Sequence, residues 1–382
     1  MFKRKYWTRL IENAWKERSI IWLSGVRRSG KTCLCKSLDN VEYFDCELPS
    51  VRRSMEDPEA FLGENRGRRI AIDEIHRLGN PSELLKIAAD HYPETRIIAT
   101  GSSSISASAK FKDTLTGRKR QIWLTPATSQ DMADFNMDDL DRRFKNGGLP
   151  QFMLSENISE RDFQEWMDDY WSKDIQELFR LERKYSFCKF AELLILQSSG
   201  IFQADKFAAP CEVSRPTISN YLSVLEQTYV AHIVRPFNSR KPTEIISAPK
   251  VYFFDTGFFC FYKGWQSLRN DDRGILWEHF VLNEIQSRLQ HRKINYWRDK
   301  AGHEVDFVLS SKDGRILAME CKWRYSEPEL SSLQAFRKIY PQAEILVVCS
   351  DVEKPFRKTV KDIPLCFTNI DSLINEIENM RF

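Results

Sequence analysis

The run Gly25-Val26-Arg27-Arg28-Ser29-Gly30-Lys31-Thr32-Cys33 carries the spacing G-x-x-x-x-G-K-T, and its residue types are those that hold a polyphosphate. Gly25 and Gly30 permit tight backbone geometry and leave room for an anion. Loop amides and the start of the following helix face the phosphates. Lys31 is placed to reach the β- and γ-phosphates of ATP, and Thr32 to ligate Mg²⁺. Downstream, Arg69-Ile-Ala-Ile-Asp73-Glu74 is an apolar run ending in two carboxylates. Asp73 would hold the hydration shell of the Mg²⁺, and Glu74 would orient and deprotonate an attacking water. Two further residues complete the candidate set. Ser102 follows a third apolar run, where a polar side chain can sense the γ-phosphate, and Arg118 follows Leu115-Thr-Gly117. Arg118 reads equally as a finger, acting in cis or on a neighbouring subunit, and as an ordinary surface arginine.

A second constellation lies near the C-terminus. Gly302-His-Glu304-Val-Asp306-Phe-Val-Leu309 alternates, turns at Lys312-Asp313-Gly314, and returns as Arg315-Ile-Leu-Ala-Met-Glu320-Cys-Lys322. Period-two geometry puts Glu304 with Asp306 on one face, and Glu320 with Lys322 on one face. Opposed across a hairpin, Asp306 and Glu320 would bind one or two Mg²⁺ ions, with Glu278 adding a carboxylate from a helix. Lys322 would position water or steady charge building on a phosphate; without metal the cluster would stay open to solvent or use Lys322 as its counter-charge. The alternative is a surface ladder of cross-strand ion pairs.

These residues require a framework. Short apolar runs at 20–23, 41–44, 69–73, 95–100 and 121–124 read as strands separated by helical segments, which gives an α/β fold with a parallel, doubly covered sheet. Residues 5–18 form an amphipathic helix with Trp7, Leu10, Ile11 and Trp15 on one face. Residues 129–195 show helical stripes interrupted at Gly147-Gly148-Leu-Pro150. Helices at 190–197 and 203–209, a turn at Val213 to Thr217 and a helix beyond it form a winged helix. Its wing strands would be Val230 to Val234 and Glu244 to Ser247, around Asn238 to Pro242. Arg215, Ser219, Asn220 and Ser223 face outward on its recognition helix, where DNA and a protein partner are equally suited. The domains expected are an ATPase at 1–130, a helical connector at 131–189, a winged helix at 190–248 and a nuclease-like α/β domain at 249–382.

Composition fits this layout. The 382 residues are 42% hydrophobic and 29% charged, as in a globular protein with sizeable cores. No stretch approaches the roughly 18 apolar residues of a membrane span, and Met1-Phe-Lys-Arg-Lys is no secretory signal. Nine scattered cysteines show no metal-ligand spacing and read as reduced thiols in a cytoplasmic protein. Cys33 and Cys35 read as core packing. The net charge of +3 does not by itself announce nucleic acid. The basic clusters at 3–5, 66–69, 119–120 and 288–293 read as solvated faces.

The chain resembles a family of prokaryotic AAA-type ATPases whose C-terminal region, long labelled a domain of unknown function, is related to restriction endonucleases of the PD-(D/E)XK type. The resemblance rests on Gly25 to Thr32, Ile72-Asp73-Glu74, Leu115 to Arg118, Gly148-Leu-Pro150 and Pro249-Lys-Val-Tyr-Phe-Phe-Asp255-Thr-Gly257. It also rests on Gly302 to Phe307 and Glu320 to Lys322. It implies ATP binding and hydrolysis through Lys31, Thr32, Asp73 and Glu74, a winged helix, and a nuclease-like fold. The proline that names the nuclease motif is replaced by Val305. The expected function is a Mg²⁺-dependent ATPase coupled to a half that binds DNA and carries the residues to cleave it. The alternative is an ATP-driven switch whose C-terminal half binds protein partners without catalysis. A homo-oligomer is compatible with either.

Overall fold

The computed structural model describes residues 2–101, 115–176, 179, 181–238, 248–290 and 293–380. The chain forms two compact units. The first comprises Met1–Asp139, Leu149–Glu182 and Gln227–Tyr229, and the second Leu140–Gly148, Arg183–Glu226 and Val230–Phe382. Residues 131–189, expected to form one connector, are shared between them.

In the first unit β1 (Ile20–Ser24), β2 (Glu42–Asp45), β3 (Arg69–Asp73), β4 (Arg96–Thr100) and β5 (Lys119–Trp123) make up, among the described residues, one parallel sheet. Its order is β2-β3-β4-β1-β5. Side-chain alternation sorts the strands onto two cores. Ile20, Trp22, Ile70, Ile72, Ile97 and Ala99 pack with Leu84, Leu85 and Ala88 of the helix Pro81–His91. Ile21, Leu23, Ala71, Ile98 and Ile122 pack with Trp7 and Ile11 of the helix Lys5–Glu17 and with Leu34. A sheet covered on both faces needs apolar residues at every strand position, hence the continuous apolar runs in the sequence. Because β4 lies between β1 and β3, the end of the strand carrying Asp73 stands two strands from the glycine loop after β1.

In the second unit β6 (Gly200–Ile201), β7 (Ala231–Pro236), β8 (Lys250–Phe253), β9 (Asn295–Arg298), β10 (Glu304–Ser310), β11 (Ile316–Lys322), β12 (Glu344–Cys349), β13 (Phe356–Val360) and β14 (Ile363–Thr368) form a mixed sheet. The order among the described residues is β13-β14-β12-β11-β10-β9-β7-β8-β6. The expected wing strand Val230–Val234 falls largely within β7, which pairs antiparallel with β8, His232 opposite Tyr252. The expected second wing strand at Glu244 to Ser247 lies outside the described residues. The β13–β14 hairpin has no sequence signal. Its edge strand Phe356-Arg-Lys-Thr-Val is mostly exposed. Its two-residue turn, Lys361-Asp362, takes positive φ at both positions without an Asn-Gly pair.

Two of the sequence motifs form a joint within this unit. Asp255 accepts hydrogen bonds from the amides of Gly148 at 2.6 Å and Gly257 at 2.8 Å. Arg143 donates to Thr256 Oγ1 at 3.1 Å. Gly147 has φ +83°, and a Cβ there would stand 2.0 Å from the Asp255 carboxylate. A Cβ on Gly257 would stand 2.7 Å from the Asn146 backbone. Gly147-Gly148 and Asp255-Thr-Gly257 are thus two halves of one buried contact, and only glycine fits it.

Candidate nucleotide site and carboxylate cluster

The glycine loop leaves β1 and enters the helix Lys31–Ser37 through residues with positive φ: Gly25 at +148°, Arg28 at +64° and Gly30 at +93°. A Cβ on Gly25 would lie 2.5 Å from the Leu124 carbonyl oxygen, so the loop closes against β5 only with glycine there. Lys31 Nζ donates to the carbonyls of Gly25 at 2.9 Å and Val26 at 3.1 Å. Burial pulls its pKa below the usual lysine value against the charges of Glu74, Asp174 and Asp73.

Asp73 spans the width of β4 with help. Its Oδ2 accepts from Thr32 Oγ1 at 2.7 Å and from Tyr43 OH at 2.6 Å, and Thr100 Oγ1 donates to Oδ1. Thr100 Oγ1 also accepts the Glu74 amide at 3.1 Å. Thr32 and Asp73 therefore meet as a pair of hard oxygen donors, the set a hydrated Mg²⁺ prefers. Glu74 leaves the strand in the left-handed region, φ +52°, and its Oε2 lies 3.0 Å from His76 Nδ1. Burial opposes ionisation of Glu74, but the hydrogen bond from His76 and the charge of Lys31 outweigh it and hold the carboxyl below its ordinary range. Lys31, Thr32, Glu74 and His76 line a cavity of about 640 Å³ together with Pro150, Tyr170, Lys173, Asp174 and Thr228. That volume suits a nucleotide-sized ligand.

The expected residues divide as follows. Gly25, Val26, Arg27, Arg28, Gly30, Lys31, Thr32, Cys33 and Glu74 line the cavity, and Asp73 reaches it through Thr32. Ser29 is buried. Cys33 is exposed, so of the pair read as core only Cys35 packs inside. Arg118 does not line the cavity; its Nε donates to Asp90 Oδ1 at 2.7 Å. Ser102 lies outside the described residues. Sequence reasoning missed the support beneath the loop. Arg4, read as part of a solvated basic cluster, is buried. It donates to the Ser29 carbonyl at 3.0 Å and forks onto Asp131 at 2.8 and 2.7 Å. Asp131 also accepts from Trp7 Nε1 at 3.1 Å and from the Thr128 amide at 3.0 Å. The Thr128-x-x-Asp131 capping box was the available signal.

In the second unit Phe307 pairs with Met319, which sets Asp306 opposite Glu320 on one face of the β10–β11 hairpin. Asp306 Oδ2 accepts the Cys321 amide at 2.8 Å, and Lys322 Nζ lies 3.7 Å from Glu320 Oε2. Lys322 thus faces the cluster as a counter-charge, and a second cation joins it. Lys250 of β8, almost fully buried, contacts Glu304 Oε1 and lies 3.7 Å from Glu278 Oε1. Tyr252, two residues on and so on the same face, donates to Glu278. Burial would lower the Lys250 pKa, but Glu278, Asp306 and Glu304 raise it well above the ordinary value. Burial and neighbouring negative charge raise the carboxyls of Asp306 and Glu320. Among the described residues no three His, Cys, Asp or Glu side chains are arranged to hold a metal ion.

Comparison with known proteins agrees with the first site and leaves the second without a described role. Residues 17–133 match the family described as AAA domain. Residues 137–269 and 273–367 match two families described as domains of unknown function, DUF8612 and DUF4143. An uncharacterized protein of Mycobacterium tuberculosis is 26% identical over 333 residues, which is 84% of this chain and 74% of that protein. A Mycobacterium bovis protein, also uncharacterized, gives the same figures. A Walker-type ATPase of Pyrococcus abyssi is 16% identical with a TM-score of 0.45, covering 69% of this chain and 96% of that one. The match of residues 17–133 to an AAA domain supports a P-loop ATPase in the N-terminal part of the chain and, with it, ATP binding. No helix among the described residues is long and apolar enough to cross a membrane.

Proposed function

We propose that this protein is a cytoplasmic, Mg²⁺-dependent ATPase whose nucleotide state controls a DNA-binding C-terminal half. The observation that carries the reading is that Lys31, Thr32 and Glu74 line one cavity, with Asp73 hydrogen-bonded to Thr32 behind it. In hydrolysis a water oxygen bonds to the γ-phosphorus as the bond to the β–γ bridging oxygen breaks, and the water proton passes to Glu74. Lys31 leaves the loop carbonyls for the phosphate oxygens. Thr32 and Asp73 would hold Mg²⁺, which when bound neutralises charge on the β- and γ-oxygens.

The DNA reading rests on the helices Lys184–Leu196, Ala204–Ala208 and Arg215–Gln227 with strands β6 to β8, an arrangement consistent with a winged helix. Arg215, Ser219 and Asn220 are exposed on its third helix and Ser223 is half-buried. That helix runs directly into Thr228, which lines the nucleotide cavity and hydrogen-bonds Tyr170 OH at 2.6 Å, so the chain itself joins the two activities. The test is ATP turnover with and without duplex DNA. A several-fold stimulation that disappears on substituting Arg215 and Asn220 supports the reading, and turnover indifferent to DNA removes it. A second reading is favoured by Lys250: a carboxylate cluster that carries its own buried cation suits a scaffold for protein or DNA better than a nuclease.

If Arg118 acts in trans in a homo-oligomer, it must exchange Asp90 for a neighbour's nucleotide. Mixing Arg118→Ala with Lys31→Ala protein should then restore part of the lost hydrolysis, because one shared site keeps both residues. No recovery at any mixing ratio, with a monomeric mass in solution, argues for a surface arginine.

A further inference from the structure

The nucleotide cavity contains an acid that the phosphate-binding motif does not explain. Asp174 lines it, mostly buried, among groups that should meet a highly anionic ligand. An uncompensated carboxylate there would repel the γ-phosphate. Its partner is Arg27 of the glycine loop, whose Nε donates to Asp174 Oδ2 at 2.8 Å. Arg27 lines the same cavity as Lys31, Thr32 and Glu74, the residues proposed to meet the terminal phosphate and its metal.

The surrounding backbone is built to keep this pair. Trp166 Nε1 donates to the Arg27 carbonyl at 3.2 Å, and Arg28 Nη2 donates to Asp169 Oδ2 at 3.0 Å. Asp169 and Asp174 are five residues apart, which in an α-helix sets them about 140° apart around the axis. Here the helix Glu160–Asp169 passes into a π-helical segment, Tyr170–Gln176. Its i→i+5 bonding brings residues five apart close to one face, a feature concentrated at functional sites. Both acids can therefore reach the two consecutive arginines of the loop.

We infer that Arg27 is a catalytic arginine supplied in cis by the phosphate-binding loop itself, and that Asp174 is its positioning residue. Asp174 engages Nε, and the guanidinium's two terminal amino groups meet the oxygens of the transferring γ-phosphoryl group as charge redistributes in the transition state. This rests on the ATPase reading above and deepens it.

The test uses the full chain with Arg27→Met, Arg27→Lys and Asp174→Asn, measuring kcat, KM and the affinities for ADP and for ADP with fluoroaluminate. Arg27→Met should lower kcat by about a hundredfold and weaken the fluoroaluminate complex in parallel, leaving ADP affinity within about threefold. Arg27→Lys should recover part of kcat, since it restores charge without the fork. Asp174→Asn should lower kcat more than it raises KM, a split that mere support of the fold would not produce. Wild-type kcat in Arg27→Met, or equal losses of ADP and fluoroaluminate-complex affinity, overturns the assignment while leaving the ATPase intact. A wild-type protein that binds ATP without turning it over overturns the hydrolytic reading instead, and the assignment with it. Should Arg27→Met not fold, Arg27→Lys and Asp174→Asn decide the assignment through their kcat and KM.

Discussion

Glu74→Gln protein should bind ATP with near-normal affinity and hydrolyse it about 10³-fold more slowly, the range for loss of a general base. The amide keeps the shape of the side chain and its place beside His76 but cannot take the proton of the attacking water. Glu74 is suited to that step by position: the left-handed backbone at this residue lifts it out of β3, away from the Asp73 carboxylate that Thr32 and Tyr43 hold. His76 and Lys31 keep it ionised at neutral pH. Lys31→Ala should fail at the earlier step, losing nucleotide binding with turnover, because it removes the point charge that the phosphate-binding loop sets on the β- and γ-phosphates. A fluorescent nucleotide titration and a phosphate-release assay on both variants separate the two defects. Normal phosphate release by Glu74→Gln would remove Glu74 from the role of base.

Lys250→Met should destabilise the C-terminal unit by about 3–5 kcal/mol, the cost of leaving buried charge without its partner. Methionine fills a similar volume, so the loss reports charge rather than packing. The ammonium is the buried cation against Glu278 and Glu304, the latter also met by the more exposed Arg298 at 3.3 Å, and Asp306 lies within its field. Without it the carboxylates face one another with Lys322 as the remaining nearby amine, 3.7 Å from Glu320. The sign of the pH dependence follows. Acid protonates carboxyls whose pKa values burial already raises, so the gap between variant and wild type should narrow as pH falls. If Lys250 occupies the position a divalent cation would take, Mg²⁺ or Mn²⁺ should stabilise the variant more than the wild type. Denaturant unfolding across pH, with and without metal, measures all three effects. Wild-type stability in Lys250→Met would show that the cluster needs no internal cation.

The candidate nucleotide site was legible because the residues proposed for it are contiguous. A loop of fixed spacing and a strand ending in Asp73-Glu74 carry their own local geometry, and the apolar runs around them match a sheet covered on both faces. The carboxylate hairpin was legible for the same reason: a tight turn sets the register that opposes Asp306 to Glu320. Lys250 was not. It belongs to a strand that lies between β7 and β6, and its charge partners come from β10 and from the helix Asn270–Leu289, so no local pattern ties them together. Arg4 was hidden likewise, since nothing beside Lys3 and Lys5 says that it is buried on Asp131, 127 residues away. Arg27 was visible as a loop residue, but Asp174 was not visible as its partner.

The amino-acid sequence by itself marked a loop with the spacing to hold a phosphate, the carboxylates at the end of β3, and the strands of the first sheet. Those properties depend on residues a few positions apart, through backbone geometry and side-chain period. Only the tertiary structure decided which charges neutralise which: Arg4 with Asp131, Arg27 with Asp174, and Lys250 with Glu278 and Glu304. A buried ion pair forms between side chains that the fold happens to remove from water together, and distance along the chain places no constraint on that.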